Sequence, residues 1–110
     1  MKIAATITLV TSAVLSACSV TLPVRGQMED SSAVFTGSAT GHMDGAGELS
    51  IVSVDGTTCK GTFVYVTHRN GEGTLNCADG RSGPFAFVSA GTRGTGHGML
   101  NGKRFTFTFG

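Results

Sequence analysis

The chain has 110 residues, eight Lys/Arg against seven Asp/Glu, and a formal net charge of +1. That length suits one small domain, and near-neutrality excludes a strong field toward nucleic acid or anionic lipid. Seventeen glycines, no tryptophan and a scarcity of leucine argue against a helical core.

In chain order, the first feature is a charge at Lys2 followed by an apolar run from Ile3 to Val14 and then small residues. This is the layout of a secretory signal peptide. The run is shorter than the ~20 residues a membrane span needs, and Thr6, Thr8, Thr11 and Ser12 interrupt it. It closes on Leu15-Ser16-Ala17-Cys18, which resembles the lipobox of bacterial lipoproteins. The resemblance implies a diacylglycerated Cys18 thiol, cleavage between Ala17 and Cys18, and acylation of the new amino group, with palmitate as a usual chain. It also implies a membrane partner reached through the lipid. Ser19 is not the aspartate that holds such proteins in the inner membrane of enteric bacteria, so the similarity points to the outer membrane of the cell envelope. Without Lys2 the remaining chain carries seven bases and seven acids.

The cysteine count agrees with the anchor. Of three cysteines, Cys18 would carry lipid, which leaves Cys59 and Cys77 as a pair in an oxidising compartment. Residues 1–17 are thus expected to be signal peptide, and 18–32 the lipidated cysteine and a flexible tether. The tether reading rests on Pro23, Gly26, Glu29, Asp30 and Ser31-Ser32, without a sustained period. Residues 33–110 form the domain.

That domain repeats itself. Gly45-Ala-Gly47-Glu-Leu49 leads to Asp55-Gly56 and Cys59-Lys-Gly61-Thr-Phe63. Gly71-Glu-Gly73-Thr-Leu75 leads to Asp79-Gly80 and Ser82-Gly83-Pro-Phe85. Gly94-Thr-Gly96 leads to Asn101-Gly102 and Phe105. Such a period signals repeated supersecondary units. The cycle resembles MORN repeats, which build meandering antiparallel hairpins, although the tyrosine usual before Gly-x-Phe is Cys59 in one unit. The domain is also similar to small uncharacterised lipoproteins of Gram-negative bacteria. Neither likeness implies an activity.

Turn chemistry places about seven strands, near 33–41, 45–53, 57–66, 70–77, 81–88, 93–100 and 103–109. Asn101-Gly102 is a two-residue hairpin signal, and Asp55-Gly56 and Asp79-Gly80 fit three-residue loops. Short loops at 42–44, 67–69 and 89–92 lie at the opposite end. In this register Phe63 and Phe85 face Gly73, Phe85 and Phe107 face Gly96, and Tyr65, Gly71, Phe87, Gly94 and Phe109 alternate one row over. Rings cover bare glycine backbone, a device that pins strand register. Cys59 falls opposite Cys77, at a separation a disulfide tolerates. One face then carries Phe35, Leu49, Ile51, Phe63, Tyr65, Leu75, Phe85, Phe87, Phe105, Phe107 and Phe109, while the other is rich in Thr and Ser. An aromatic face of that extent does not stay open to water. The expectation is an all-β antiparallel meander that curls, barrel-like, around its rings, with one cross-strand disulfide.

Chemistry is sparse. His42, His68 and His97 have no metal-ligand spacing. No Gly-x-Ser-x-Gly elbow is present, and lipid and disulfide account for every cysteine. Gly94-Thr-Gly96-His-Gly98 precedes no helix that would bind phosphate. Phe105 to Phe109 lacks the basic groove of a single-strand nucleic-acid platform. The expectation is therefore a non-enzymatic envelope module without a cofactor, binding an envelope protein or a cell-wall component and no nucleic acid. A small inhibitor or immunity-type protein against a hydrolase or toxin is the alternative. The loop end bearing His42, Asp44, His68, Arg69 and Arg93 is the candidate contact surface.

Overall fold

The computed structural model describes residues 19–110; the signal segment 1–17 and Cys18 lie outside the described residues. Eight antiparallel strands follow in chain order. They are β1 (Ser19–Met28), β2 (Val34–His42), β3 (Ala46–Ser53), β4 (Thr58–Tyr65), β5 (Asn70–Cys77), β6 (Ser82–Ala90), β7 (Arg93–Leu100) and β8 (Lys103–Phe109). Each pairs with its sequence neighbour, and β1 pairs with β8 to close a barrel. Closure removes the free edges that an open meander would expose.

The tether expectation is corrected here. Ser19–Met28 is β1, which lies between β2 and β8 and supplies the eighth strand. Val20, Leu22, Val24, Gly26 and Met28 alternate on one face, and Val24 and Met28 are buried. Pro23 and Gly26 obscure that alternation, yet both fit. The Pro23 carbonyl accepts a hydrogen bond from the Gly110 N–H at 3.0 Å, so the missing proline donor faces the very end of β8. A Cβ on Gly26 would meet the Phe35 ring at 2.6 Å.

Two expected loops also shift. The β6–β7 connection is a tight Gly91-Thr92 turn with Ala90 opposite Arg93, and Gly91 has φ +68°. Glycine at the first central position is the mark of a type II′ turn. Phe85 consequently faces Gly98 and Phe87 faces Gly96, two residues from the expected partners. A slip of two keeps every side chain on its face, so rings still cover glycines. At β2–β3, Gly45 takes the left-handed position with φ +88° and His42 belongs to the strand. The other turns lie as expected. Asn101 and Gly102 both have positive φ, 49° and 83°, the type I′ signature.

The interior is built from the expected face, with β1 added. Cys59 and Cys77 are opposed in the β4–β5 ladder and form a disulfide. One end of the barrel is filled by Met28, Phe35, Ile51, Leu75, Leu100 and Phe105 around that bond. Phe35 and Phe105 meet edge to face at 5.8 Å. Above them rings interlock from strand to strand: Phe63–Phe87 at 5.1 Å, Tyr65–Phe87 at 5.2 Å and Phe87–Phe109 at 5.6 Å. Edge-to-face pairs of this kind contribute ~0.5–1.5 kcal/mol each beyond simple burial.

Candidate functional site, an apolar mouth at one end of the barrel

Strand directions sort the connections into two ends. β1 begins where β2 finishes, with Ser19 opposite His42. The β2–β3, β4–β5 and β6–β7 loops share that end, and the packed core lies toward the other.

Inside this first end is a cavity of about 280 Å³. Leu22, Ala39, Leu49, Phe63, Tyr65, Phe85, Phe87, Phe107 and Phe109 line it, with Ser19, Val20, His42 and Met43 at the rim. Its origin lies in the glycine pattern. Elsewhere each inward glycine is crowded by a ring or, at Gly37, Gly61 and Gly83, by facing backbone. A Cβ on Gly47 would sit 2.3 Å from the Phe63 Cζ, one on Gly71 2.3 Å from the Phe87 Cζ, and one on Gly94 2.4 Å from the Phe109 Cζ. Gly41 breaks the rule: nothing lies within 4 Å of its Cβ position. Its partners across the sheet are Val20 and Gly47, neither of which supplies a ring to cover it. Two adjacent glycines and one short side chain leave the barrel unfilled at that corner.

The polar content of the cavity wall is small. The Tyr65 hydroxyl donates to Ser89 Oγ at 3.2 Å, and that hydroxyl donates in turn to the Arg69 carbonyl at 3.4 Å. Ser89 is the buried polar residue among those described, and no buried side-chain polar atom among them lacks a partner. A cavity with apolar walls and few polar groups, here including the oriented Tyr65, is the ordinary form of a small-molecule site. At 280 Å³ it sits near the lower bound of ~300 Å³ for such sites. It is roughly twice the ~150 Å³ that accommodates one benzene.

All five candidate contact residues lie at this end, but they do not converge. His42 Nε2 is 3.0 Å from Glu48 Oε1, and His42 borders the cavity. Asp44 accepts the Ala46 N–H at 3.0 Å and so shapes its own turn. His68, Arg69 and Arg93 are exposed around the rim. The walls contributed by Leu22, Ala39 and Gly41 are absent from the sequence-based candidates. The signal was present in Val20-x-Leu22-x-Val24, whose alternation marks a strand. Among the described residues no group of three His, Cys, Asp or Glu is placed to hold a metal ion.

A wider, open depression crosses the outer faces of β5 to β8, β1 and β2, bordered by threonines with Arg25, Glu72, His97 and Arg104. It is a solvated surface groove without enclosing walls.

Comparison with known proteins places the architecture. No family model matches the chain, and no curated protein matches it. Among solved structures it is similar to a de novo designed fluorescence-activating β barrel, at 14% identity and TM-score 0.62, over 81% of this chain and 88% of that one. It is also similar to a redesigned β barrel bound to DFHBI, at 18% identity and TM-score 0.66, over 81% and 90%. At these identities the likeness is one of fold: a small, closed antiparallel barrel.

Proposed function

We propose that this chain is a lipid-anchored, non-enzymatic binding module of the cell envelope that takes a small apolar ligand into the open end of its barrel. The observation that carries the reading is the contrast between the two ends. One is packed and cross-linked; the other leaves about 280 Å³ walled by aromatic rings, with the Tyr65 side chain, fixed by its hydroxyl's bond to Ser89, in the wall. The redesigned barrel solved with DFHBI bound supports the reading by showing that a barrel of this size holds a small molecule. Envelope placement and acylation rest on the Leu15-Ser16-Ala17-Cys18 motif. The site has neither a nucleophile–base pair nor a metal-ligand cluster among the described residues, and the module is assigned binding rather than turnover.

Two measurements test this. Tyr65 is the sole tyrosine of a chain without tryptophan, and its ring lines the cavity, so its emission reports occupancy. In the mature chain carrying Cys18→Ser, bromonaphthalene should quench Tyr65 saturably. Gly41→Val, which projects into empty space, should abolish saturation with the circular dichroism unchanged. Non-saturable quenching, or saturation that Gly41→Val leaves intact, overturns the binding reading. Separately, intact mass of the native protein should show acylation that Cys18→Ser removes; an unmodified native mass overturns the anchor.

A further inference from the structure

The strand end that follows the lipobox cysteine in the sequence is the one that borders the cavity. Ser19, the first residue of β1, borders the cavity, and Cys18 precedes it directly. One peptide unit spans 3.8 Å between Cα atoms, so an acylated Cys18 has no tether in which to swing. Lipid on that residue holds the mouth, rather than the packed end, against the bilayer.

At the packed end, Arg81 pairs with Asp79, Lys103 with Asp30 and Arg104 with Glu29, while Lys60, next to Cys59, is exposed without a carboxylate within 4.0 Å among the described residues. At the mouth, Arg69 and Arg93 are exposed and, among the described residues, neither has a carboxylate within 4.0 Å. Free guanidinium groups suit lipid phosphates. Between them the rim offers Met43, Val66 and Val20, at 83%, 56% and 54% exposure. The chain has too little net charge to be drawn to a membrane on its own; these rim groups would meet a bilayer to which the barrel is already tethered.

We propose that the barrel stands mouth-down on the bilayer and that its cavity receives an acyl chain of a membrane lipid from below. This rests on the lipid-anchored binding reading and names the ligand class and its route. At ~30 Å³ per non-hydrogen atom, water's share of liquid volume, the cavity accommodates on the order of nine carbons, a segment of chain rather than a whole lipid.

The experiment uses the acylated mature protein in vesicles of phosphatidylethanolamine and phosphatidylglycerol. Met43→Cys and Val54→Cys, both at highly exposed loop positions, carry an environment-sensitive fluorophore at the mouth and at the packed end. Strands of eight residues separate them by roughly 20–25 Å. Headgroup spin-labelled lipid should quench the Met43 label several-fold more than the Val54 label. Lipid brominated on its acyl chains should quench Tyr65, and Gly41→Val should reduce that quenching at least twofold. Equal quenching of the two labels overturns the orientation. Met43-selective quenching with Tyr65 untouched by brominated chains overturns the acyl occupant. If bromonaphthalene saturates the soluble protein while brominated lipid has no effect, the binding reading stands and this inference fails. If neither probe binds, both fail, and an unacylated native mass removes the premise of the orientation.

Discussion

Glycine at two inward positions, Gly41 and Gly73, should respond to the same substitution with opposite sign. At Gly41 a methyl group enters vacant space, with nothing within 4 Å of the Cβ position. Replacing glycine by alanine where the backbone permits it stabilises by ~0.4–1 kcal/mol, because the unfolded chain loses freedom. At Gly73 the Cβ would sit 2.1 Å from the Thr62 carbonyl oxygen, 2.8 Å from the Phe85 Cζ and 2.9 Å from the Phe63 Cα. Two of those atoms belong to the backbone of β4, so relief requires moving a strand in a closed ladder. Overpacking of this kind costs ~1–3 kcal/mol or more. For a domain of this size each kcal/mol corresponds to ~4–8 °C in Tm. Gly41→Ala should therefore raise Tm by a few degrees and Gly73→Ala lower it by roughly 10 °C, read by circular dichroism on the same preparation. Shifts of the same sign, or a Gly73→Ala protein within about 2 °C of the parent, would refute the claim that ring and backbone crowding, rather than strand propensity, explains these glycines.

Other outcomes follow from single contacts. The Cys59–Cys77 bond closes a loop with sequence separation 18, worth ~3 kcal/mol in the chain-entropy treatment. Reducing it should lower Tm by roughly 12–24 °C; an unchanged Tm after verified reduction contradicts that. Asp55 is held at about 2, first by the Ser53 hydroxyl, then by the Thr57 backbone N–H and side chain, and to a lesser degree by Arg81. A carboxyl with a depressed folded value stabilises above its unfolded pKa of ~3.9, and that contribution is lost as pH falls through about 2. In carbon-detected titrations, Ser53→Ala should move the Asp55 midpoint upward; a stationary midpoint would remove the Ser53 hydroxyl as the main cause.

How much was legible in the chain differs from element to element. Asn101-Gly102, Asp55-Gly56 and Asp79-Gly80 define their turns locally, because the backbone angles those turns demand are ones glycine and asparagine adopt at little cost. Once those turns are placed, the period of two along each strand assigns the inward face, and with it the ring-over-glycine rows and the Cys59–Cys77 pairing. The β6–β7 register was not legible in the same way. Phe85 over Gly96 and Phe85 over Gly98 both set a ring on a glycine, and only the Gly91-Thr92 turn chooses between them. Strand β1 was hidden because its polar and proline positions look like a spacer until two neighbours are there to pair with it.

The sequence by itself determined the local events: turn types, alternation, the face that is buried, and the residues able to cross-link. Each of these depends on a few adjacent side chains and on steric limits that hold in any context. Tertiary structure alone decided closure, the role of β1, and the unfilled corner beside Gly41. Those depend on which residues stand across from one another, Val20 and Gly47 flanking Gly41 for instance. A missing ring becomes a cavity only when the strands on both sides have been brought around to enclose it.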